Sequence, residues 1–342
     1  MTKTGVVIGV SGQIGRAVAD QMLRDGWSVR GLHNSDTALP DELADVEIVL
    51  GDRDDDSVFA AVLSDGVDGV VDTIAYTSIH ARQLLRFAEA IGSLTVVSSV
   101  AVYADDDGHS IGNGSPLWPT AIKESQTLVP ASGETYGGAK VKLEETLLQA
   151  DQVPVSVLRP AAVCGPGSRH LREWWLIKRV LDDRRILPLK YRGVSRFHPS
   201  TTANIAALAV HCLELGGSRV LNAADPDCPT VREIAAHVGS AMNHDWNVIA
   251  LTDEQSTSSV GETPWTDRNP IVLDTSASLA TGYEPAVTYA AAMPSLVQAA
   301  LRETAGLDWR DVYPEFASYA GSMFDYKSED DFLIRLRAIP AR

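Results

Sequence analysis

Apolar positions along the first 165 residues fall into two alternating patterns. The first is a short continuous run: GVVIGV (5–10), WSVRGL (27–32), VEIVLGD (46–52), VDGVVDTIAY (67–76), SLTVVSSVAVY (93–103) and VPVSVLRPAAV (153–163). The first of these runs, β-branched and followed by glycines, predicts a buried parallel strand, and the others predict further strands. The second pattern is helical. In QIGRAVADQMLRDG (13–26), Ile14, Val18 and Met22 share one face and Gly26 ends the helix. SIHARQLLRFAEAIG (78–92) and ETYGGAKVKLEETLLQA (134–150) predict two more helices. Strands alternating with helices predict an α/β fold with a doubly wound parallel sheet.

After CGPGS (164–168) the pattern changes. Residues 169–196 are aromatic and basic, 203–215 read as a helix, 219–225 as a strand and 230–242 as a helix opened by a Thr230/Glu233 capping box. Residues 251–275 are polar and predict a surface excursion. The aromatic stripe Trp309, Tyr313, Phe316, Tyr319, Phe324 and Tyr326 predicts packing rather than cofactor chemistry.

Gly9, Gly12 and Gly15 form a G-x-x-G-x-x-G array between the first strand and the first helix. In that context the first glycine makes the turn, the second admits a pyrophosphate to the backbone and the third allows helix and strand to pack closely. The helix N-terminus then offers free N–H groups to the phosphates. An NAD site usually carries an acid about 20 residues further on. Here His33 or Asn34 stands in that place and Asp36 lies beyond it. Arg16, His33 and Ser35 can accommodate a 2′-phosphate, so NADP is expected over NAD, with NAD left open. Asp52 reads either as an adenine contact or as a solvated loop acid.

Tyr136 and Lys140, at i and i+4, share a helix face. A nearby ammonium favours a phenolate and turns tyrosine into a usable acid/base. Gly137 and Gly138 between them are expected to leave room for a nicotinamide and a substrate. Ser99 ends the fifth predicted strand, at the sheet edge where open α/β folds bind ligands, and its hydroxyl can polarise a substrate oxygen.

GVSGQIG, GDRDD, DTIAY, SSVAVY, YGGAK, LRPAAVCGPGS and the late TGYEPAVTYAAAM together resemble the extended short-chain dehydrogenases/reductases of the NAD-dependent epimerase/dehydratase kind, over nearly the whole length. The resemblance implies a Rossmann-type domain over 1–165, completed by about 197–218. It also implies a smaller C-terminal α/β substrate lobe and tail from 166–196 and 219–342, and a homodimer built through two Rossmann-domain helices. Ser99, Tyr136 and Lys140 would be catalytic, with Tyr136 and Lys140 also touching the cofactor and Lys140 binding the nicotinamide ribose. The remaining implied cofactor contacts are Gly9, Ser11, Gly12, Gln13, Ile14 and Gly15 in the loop, His33 and Asn34, then Asp52 and Arg53. Ile74, Ala75 and Tyr76, followed by Pro160 and Val163, complete them. Substrate contacts would be Val100, Arg169, Trp174 and Arg196, the last resembling an arginine that family members use on a diphosphate. Two departures narrow the reaction. Val100 and Ala101 follow Ser99 where family dehydratases carry Asp-Glu, which disfavours water loss. HPSTTAN (198–204) replaces the usual HVDD stretch, with Asn204 near the acid's place.

The 342-residue chain carries a formal charge of −16, which argues against nucleic-acid binding, and no apolar run long enough for a bilayer span. Within it, residues 169–196 hold nine Lys/Arg against three acids. That local excess suits an anionic small-molecule substrate such as a nucleotide diphosphate, with Trp174 and Trp175 as stacking or lid residues, or else simple ion pairing. The separated Cys164, Cys212 and Cys228 predict free thiols and no metal site. With a first strand entered directly and no signal pattern, they predict a cytoplasmic protein. The expected activity is hydride transfer at a secondary alcohol or ketone by a reductase or by a nucleotide-sugar epimerase holding NAD tightly. A non-catalytic dinucleotide sensor is the alternative.

Overall fold

The structure, a computed structural model, describes residues 2–34, 40–119 and 121–338. In chain order the elements are β1 (Thr4–Ile8), α1 (Gln13–Arg24), β2 (Ser28–His33), β3 (Glu47–Leu50), α2 (Asp56–Val62), β4 (Gly69–Asp72), α3 (Ser78–Arg86), β5 (Leu94–Val97), α4 (Tyr136–Leu148), β6 (Val155–Pro160) and β7 (Ala162–Cys164). There follow α5 (Trp174–Leu181), β8 (Ile186–Leu189), β9 (Pro199–Thr201), α6 (Thr202–Glu214), β10 (Arg219–Ala223), α7 (Val231–Ala241) and β11 (Asn247–Ala250). The last are α8 (Ser276–Ala280), α9 (Tyr289–Glu303), α10 (Trp309–Val312), α11 (Pro314–Ala320) and α12 (Tyr326–Ala338). Among the described residues no helix is long and apolar enough to cross a membrane.

Two compact units emerge. The first comprises Met1–Gly165, Pro199–Pro226 and Leu273–Thr288. Its sheet has seven strands in the order β10-β6-β5-β4-β1-β2-β3, paired in parallel throughout. This is the Rossmann-type, doubly wound sheet that the alternating pattern predicts. Successive residues of β1 serve opposite faces, as a strand's period of two requires. Val7 packs with Val18, Met22 and Leu208 towards α1 and α6, while Val6 and Ile8 pack with Phe59, Leu84 and Leu143 towards α2, α3 and α4. Each such buried side chain stabilises the fold by about 1.5–3 kcal/mol.

Several predicted boundaries move for identifiable reasons. The strand at 219–223, assigned to the C-terminal lobe, is the edge strand of the main sheet, in register with β6 from Arg219↔Ser156 to Ala223↔Pro160. The run 67–76 stops at Asp72, whose carboxylate accepts the Ile74 N–H and turns the chain. The run 93–103 stops at Val97, and Ser99 caps a short 3-10 turn, Val100–Val102. The run 153–163 breaks after Pro160, and β7 pairs instead with β9.

The second unit comprises Pro166–His198, Asp227–Val272 and Tyr289–Arg342. It holds a two-strand parallel pair, β8 and β11, and α7 opened by the expected Thr230/Glu233 capping box. The stretch 251–275 is more than a surface excursion, since Leu251, Trp265, Ile271 and Leu273 are buried. The aromatic stripe packs: Trp174 lies 5.4 Å from Tyr313 and 6.5 Å from Trp309. Arg179, buried on α5, pairs with Glu329 of α12 at 2.8 Å.

One buried network ties α4 to the sheet. Glu144 pairs with Arg159 of β6 at 2.5 Å and takes a hydrogen bond from Ser98, just past β5. Removing one partner of a buried ion pair leaves an uncompensated charge. Glu144→Ala is therefore expected to cost about 3–5 kcal/mol, read as a shift in the urea midpoint with an unchanged slope.

Candidate active site

Steric demand explains two of the three loop glycines directly. Gly9 has φ +84°, and a Cβ there would lie 2.6 Å from Thr73 Oγ1. A Cβ at Gly15 would lie 2.1 Å from the Gly9 carbonyl oxygen, so helix and loop approach this closely only with glycine. At Gly12 the nearest atom would be 3.4 Å away, which leaves that side of the loop accessible. α1 begins at the next residue with no side-chain cap and no acid in its first turn. Its first N–H groups thus face outward as donors for an anion.

The adjoining polar atoms fit a dinucleotide. His33, at the end of β2, is 5% exposed. Among the described residues neither of its ring nitrogens has a hydrogen-bond partner, and Gln13 Oε1 also has none. Buried polar atoms of this kind suit a polar ligand. Arg16 donates through Nε to the Ser11 carbonyl at 2.8 Å, which braces the loop. Asn34 is exposed, and Ser35 and Asp36 lie outside the described residues. Asp52 is exposed and accepts the Asp54 N–H at 2.9 Å. Arg53, expected as a cofactor contact, is instead buried, held by Asp72 at 2.7 Å and Gln83 at 2.9 Å.

Ser99, two residues past the end of β5, lies beside Tyr136. Thr135 caps α4 by accepting the Gly138 N–H, and Tyr136 is its first residue. Tyr136 is 52% exposed, yet its surroundings are desolvated enough that burial raises the phenol above its usual value, while the neighbouring Ser99 hydroxyl works the other way. Lys140 does not lower it, contrary to the expectation from spacing. The lysine is 1% exposed, and its ammonium donates to the carbonyls of Ala75 at 2.6 Å and Val97 at 2.8 Å, just past β4 and at the end of β5. It stands 5.8 Å from the Tyr136 ring centre and 4.8 Å from that of Tyr76. Burial lowers the Lys140 ammonium to about 8, opposed by Asp72 and Glu144. An ammonium has three donors, so one is left for a ligand hydroxyl.

Gly137 and Gly138 are explained by packing, which corrects their predicted role as room for ligand. A Cβ on Gly137 would lie 2.2 Å from the Ala101 carbonyl oxygen, and one on Gly138 would lie 2.5 Å from Ser132 Oγ. Gly137 lets α4 reach the turn after Ser99, whose Oγ accepts the Ala101 N–H at 3.1 Å.

Ile74 is partly buried, Ala75 buried and Tyr76 exposed where the chain leaves β4. Pro160 ends β6, and Val163 lies in β7. The expected substrate residues are largely committed elsewhere. Val100 and Trp174 are each 3% exposed and Trp175 is fully buried, so Trp174 and Trp175 are packing residues rather than a lid. Arg169 pairs with Glu315 at 3.2 Å, and Arg196 donates to the Cys228 carbonyl. Several other cations of the basic segment are ion-paired as well: Lys178 meets Asp182, Arg184 meets Glu329 and Asp330, and Lys190 meets Glu262. Asn204 makes structural bonds to Asp225 and Val287 through its amide nitrogen and accepts two backbone N–H groups. Among the described residues no three His, Cys, Asp or Glu side chains are grouped to hold a metal ion. Sequence reasoning missed His80, read only as part of helical spacing, although it accepts the Tyr76 N–H at 2.9 Å beside the site.

Because α4 and the turn at Ala101 are in backbone contact at Gly137, Gly137→Ala is expected to destabilise the protein by about 1–3 kcal/mol through overpacking. The check is the thermal midpoint of the purified variant against that of the parent.

Known proteins share this fold. The family model described as the NAD dependent epimerase/dehydratase family matches residues 6–193, more than half of the chain. A curated relative from Sinorhizobium fredii (strain NBRC 101917 / NGR234), the uncharacterized protein y4nG, is 23% identical over 245 residues, 68% of this chain; the chain spans 59% of that protein's length. Among solved structures, the UDP-N-acetylglucosamine 4-epimerase from Bacillus cereus superposes with TM-score 0.67 at 17% identity, covering 87% of this chain and 99% of that one. The UDP-glucose 4-epimerase from Thermus thermophilus, a complex with NAD, gives 0.65 at 18%, covering 86% and 98%. The dTDP-glucose 4,6-dehydratase from Bacillus anthracis str. Ames, also with NAD, gives 0.66 at 18%, covering 91% and 100%. At these identities the superpositions speak for the shared fold. The extent of the family match decides the rest: this chain belongs to the NAD-dependent epimerase/dehydratase family.

Proposed function

We propose that the protein is an NAD(P)-dependent enzyme that transfers hydride at a secondary alcohol or ketone carbon, with Ser99, Tyr136 and Lys140 as its catalytic group. The observation that carries the reading is the buried Lys140, whose ammonium is anchored just past β4 and at the end of β5 and stands 5.8 Å from the Tyr136 ring centre, with Ser99 beside that tyrosine. That edge of an open α/β sheet is where ligands bind. A bound nicotinamide supplies the hydride chemistry. Gly12 and the first turn of α1 hold the pyrophosphate. The third Lys140 donor holds a ribose hydroxyl. Ser99 would donate a hydrogen bond to the substrate oxygen, and Tyr136, whose phenol burial raises above its usual value, would give up or take back the proton.

His33 governs the adenosine ribose. The absence of a carboxylate at 33 and 34 supports NADP over NAD, because no charge at those positions repels a 2′-phosphate. Water loss is disfavoured, since Val100 and Ala101 carry no group that transfers protons. The ion-paired state of most cations in 169–196 removes the charge argument for a nucleotide diphosphate. Family membership nevertheless keeps an epimerase acting on a nucleotide sugar as the second reading.

Three measurements test this. Denaturing fresh protein and assaying the supernatant separates the readings: near-stoichiometric NAD indicates an epimerase, whereas an empty protein that binds added NADPH indicates a reductase. Tyr136→Phe is expected to lose about 10²–10⁴-fold in kcat with dinucleotide affinity nearly intact; an unaffected rate sinks the catalytic role. Lys140 carries its charge below about 8 and loses it above. Dinucleotide affinity is therefore expected to fall as the pH rises through that value.

A further inference from the structure

Lys140 does not hold its carbonyl acceptors unaided. The Ala75 carbonyl that accepts its hydrogen bond at 2.6 Å belongs to the same peptide unit as the Tyr76 N–H. That N–H donates to His80 Nδ1 at 2.9 Å. His80 Nε2 in turn lies 3.2 Å from the exposed carboxylate of Asp54. A peptide unit is planar, so fixing the direction of its N–H fixes the direction of its C=O. An unbroken chain therefore runs from the Lys140 ammonium through the 75–76 peptide to the His80 ring and out to Asp54.

We propose that His80 is a positioning residue for Lys140, acting through the Ala75–Tyr76 peptide, and that it acts only while its imidazole is neutral. The chemistry follows from the ring. Nδ1 accepts from a backbone N–H, so the ring proton sits on Nε2 and is donated to Asp54. A second proton would turn Nδ1 into a donor facing a donor, and the bond to Tyr76 would break. The peptide would then be free to rotate, and the ammonium would lose one of its two backbone acceptors.

The surroundings keep the ring neutral. His80 is 14% exposed, and burial is the main cause of its pKa lying below the usual histidine value. Arg53 from the loop after β3 and Lys140 from α4 act in the same direction. Asp72 at the end of β4 and Asp54 oppose them. The Tyr76 ring stands edge-on to the imidazole at 6.5 Å.

The proposal rests on reading Lys140 as the lysine of the site, so the test has one arm that needs no dinucleotide. Hydrogen exchange of the Tyr76 amide, measured on the full-length protein without ligand, is expected to show a protection factor that falls on acidification. His80→Asn places an amide oxygen where Nδ1 sits and does not titrate, so protection should persist and become independent of pH. His80→Phe keeps a ring without an acceptor and should lower protection about tenfold at every pH. Equal protection in parent and His80→Phe overturns the proposal, as does an acid-sensitive His80→Asn.

The second arm follows NADH and NADPH binding by fluorescence in the same three proteins. The parent should bind more weakly in acid, His80→Asn should be insensitive there, and His80→Phe should be about tenfold weaker throughout. Binding that tracks the parent in all three also overturns the proposal. A parent that binds neither NADH nor NADPH removes the oxidoreductase reading instead, while amide exchange still decides the role of His80.

Discussion

A buried ammonium must be hydrogen-bonded, and most features of this site follow from how Lys140 meets that demand. It uses backbone carbonyls from two neighbouring strand ends, which couples α4 to the centre of the sheet. Glu144, one turn further along α4, is held by Arg159 and Ser98 and fixes the same helix a second time. Gly137 removes the Cβ that would hold the helix off the turn after Ser99. The placement of Tyr136 and Lys140 is therefore set by the packing of one helix against two strand ends, with Ser99 on the turn that Gly137 lets the helix reach.

Much of this architecture is legible in the chain. Most strands of the main sheet, the glycine loop and the helix that opens at Tyr136 are local patterns, and each overlaps its predicted run. What was not legible depends on partners distant in sequence. The strand at 219–223 joins β6, some 60 residues earlier, so its place in the main sheet has no local signature. Spacing puts Tyr136 and Lys140 on one face but says nothing of where the lysine's flexible stem points, and the stem runs to Ala75 and Val97 rather than to the phenol. Adjacent glycines likewise read equally well as room for a ligand or as contact with another backbone. Only the position of Ala101 decides between the two.

The basic stretch after residue 168 teaches the same lesson about charge. Its excess looks like a surface awaiting an anion, yet the counter-charges lie far along the chain: Arg179 meets Glu329 and Arg169 meets Glu315. Local net charge measures composition, whereas ligand affinity depends on which charges the fold has not already neutralised.

The Arg179–Glu329 pair also bears on how the chain is made. Arg179 is buried on α5, and its carboxylate partner is translated 150 residues later. The first unit is interrupted in a similar way, taking its final segment from Leu273–Thr288. During synthesis, therefore, neither unit can close as its early residues leave the ribosome. The sheet gains its last strand only with β10, and the Arg179 guanidinium has no buried counter-ion until Glu329 emerges. A nascent chain halted before Glu329 carries that arginine without its carboxylate partner, a condition in which chaperone binding would be needed.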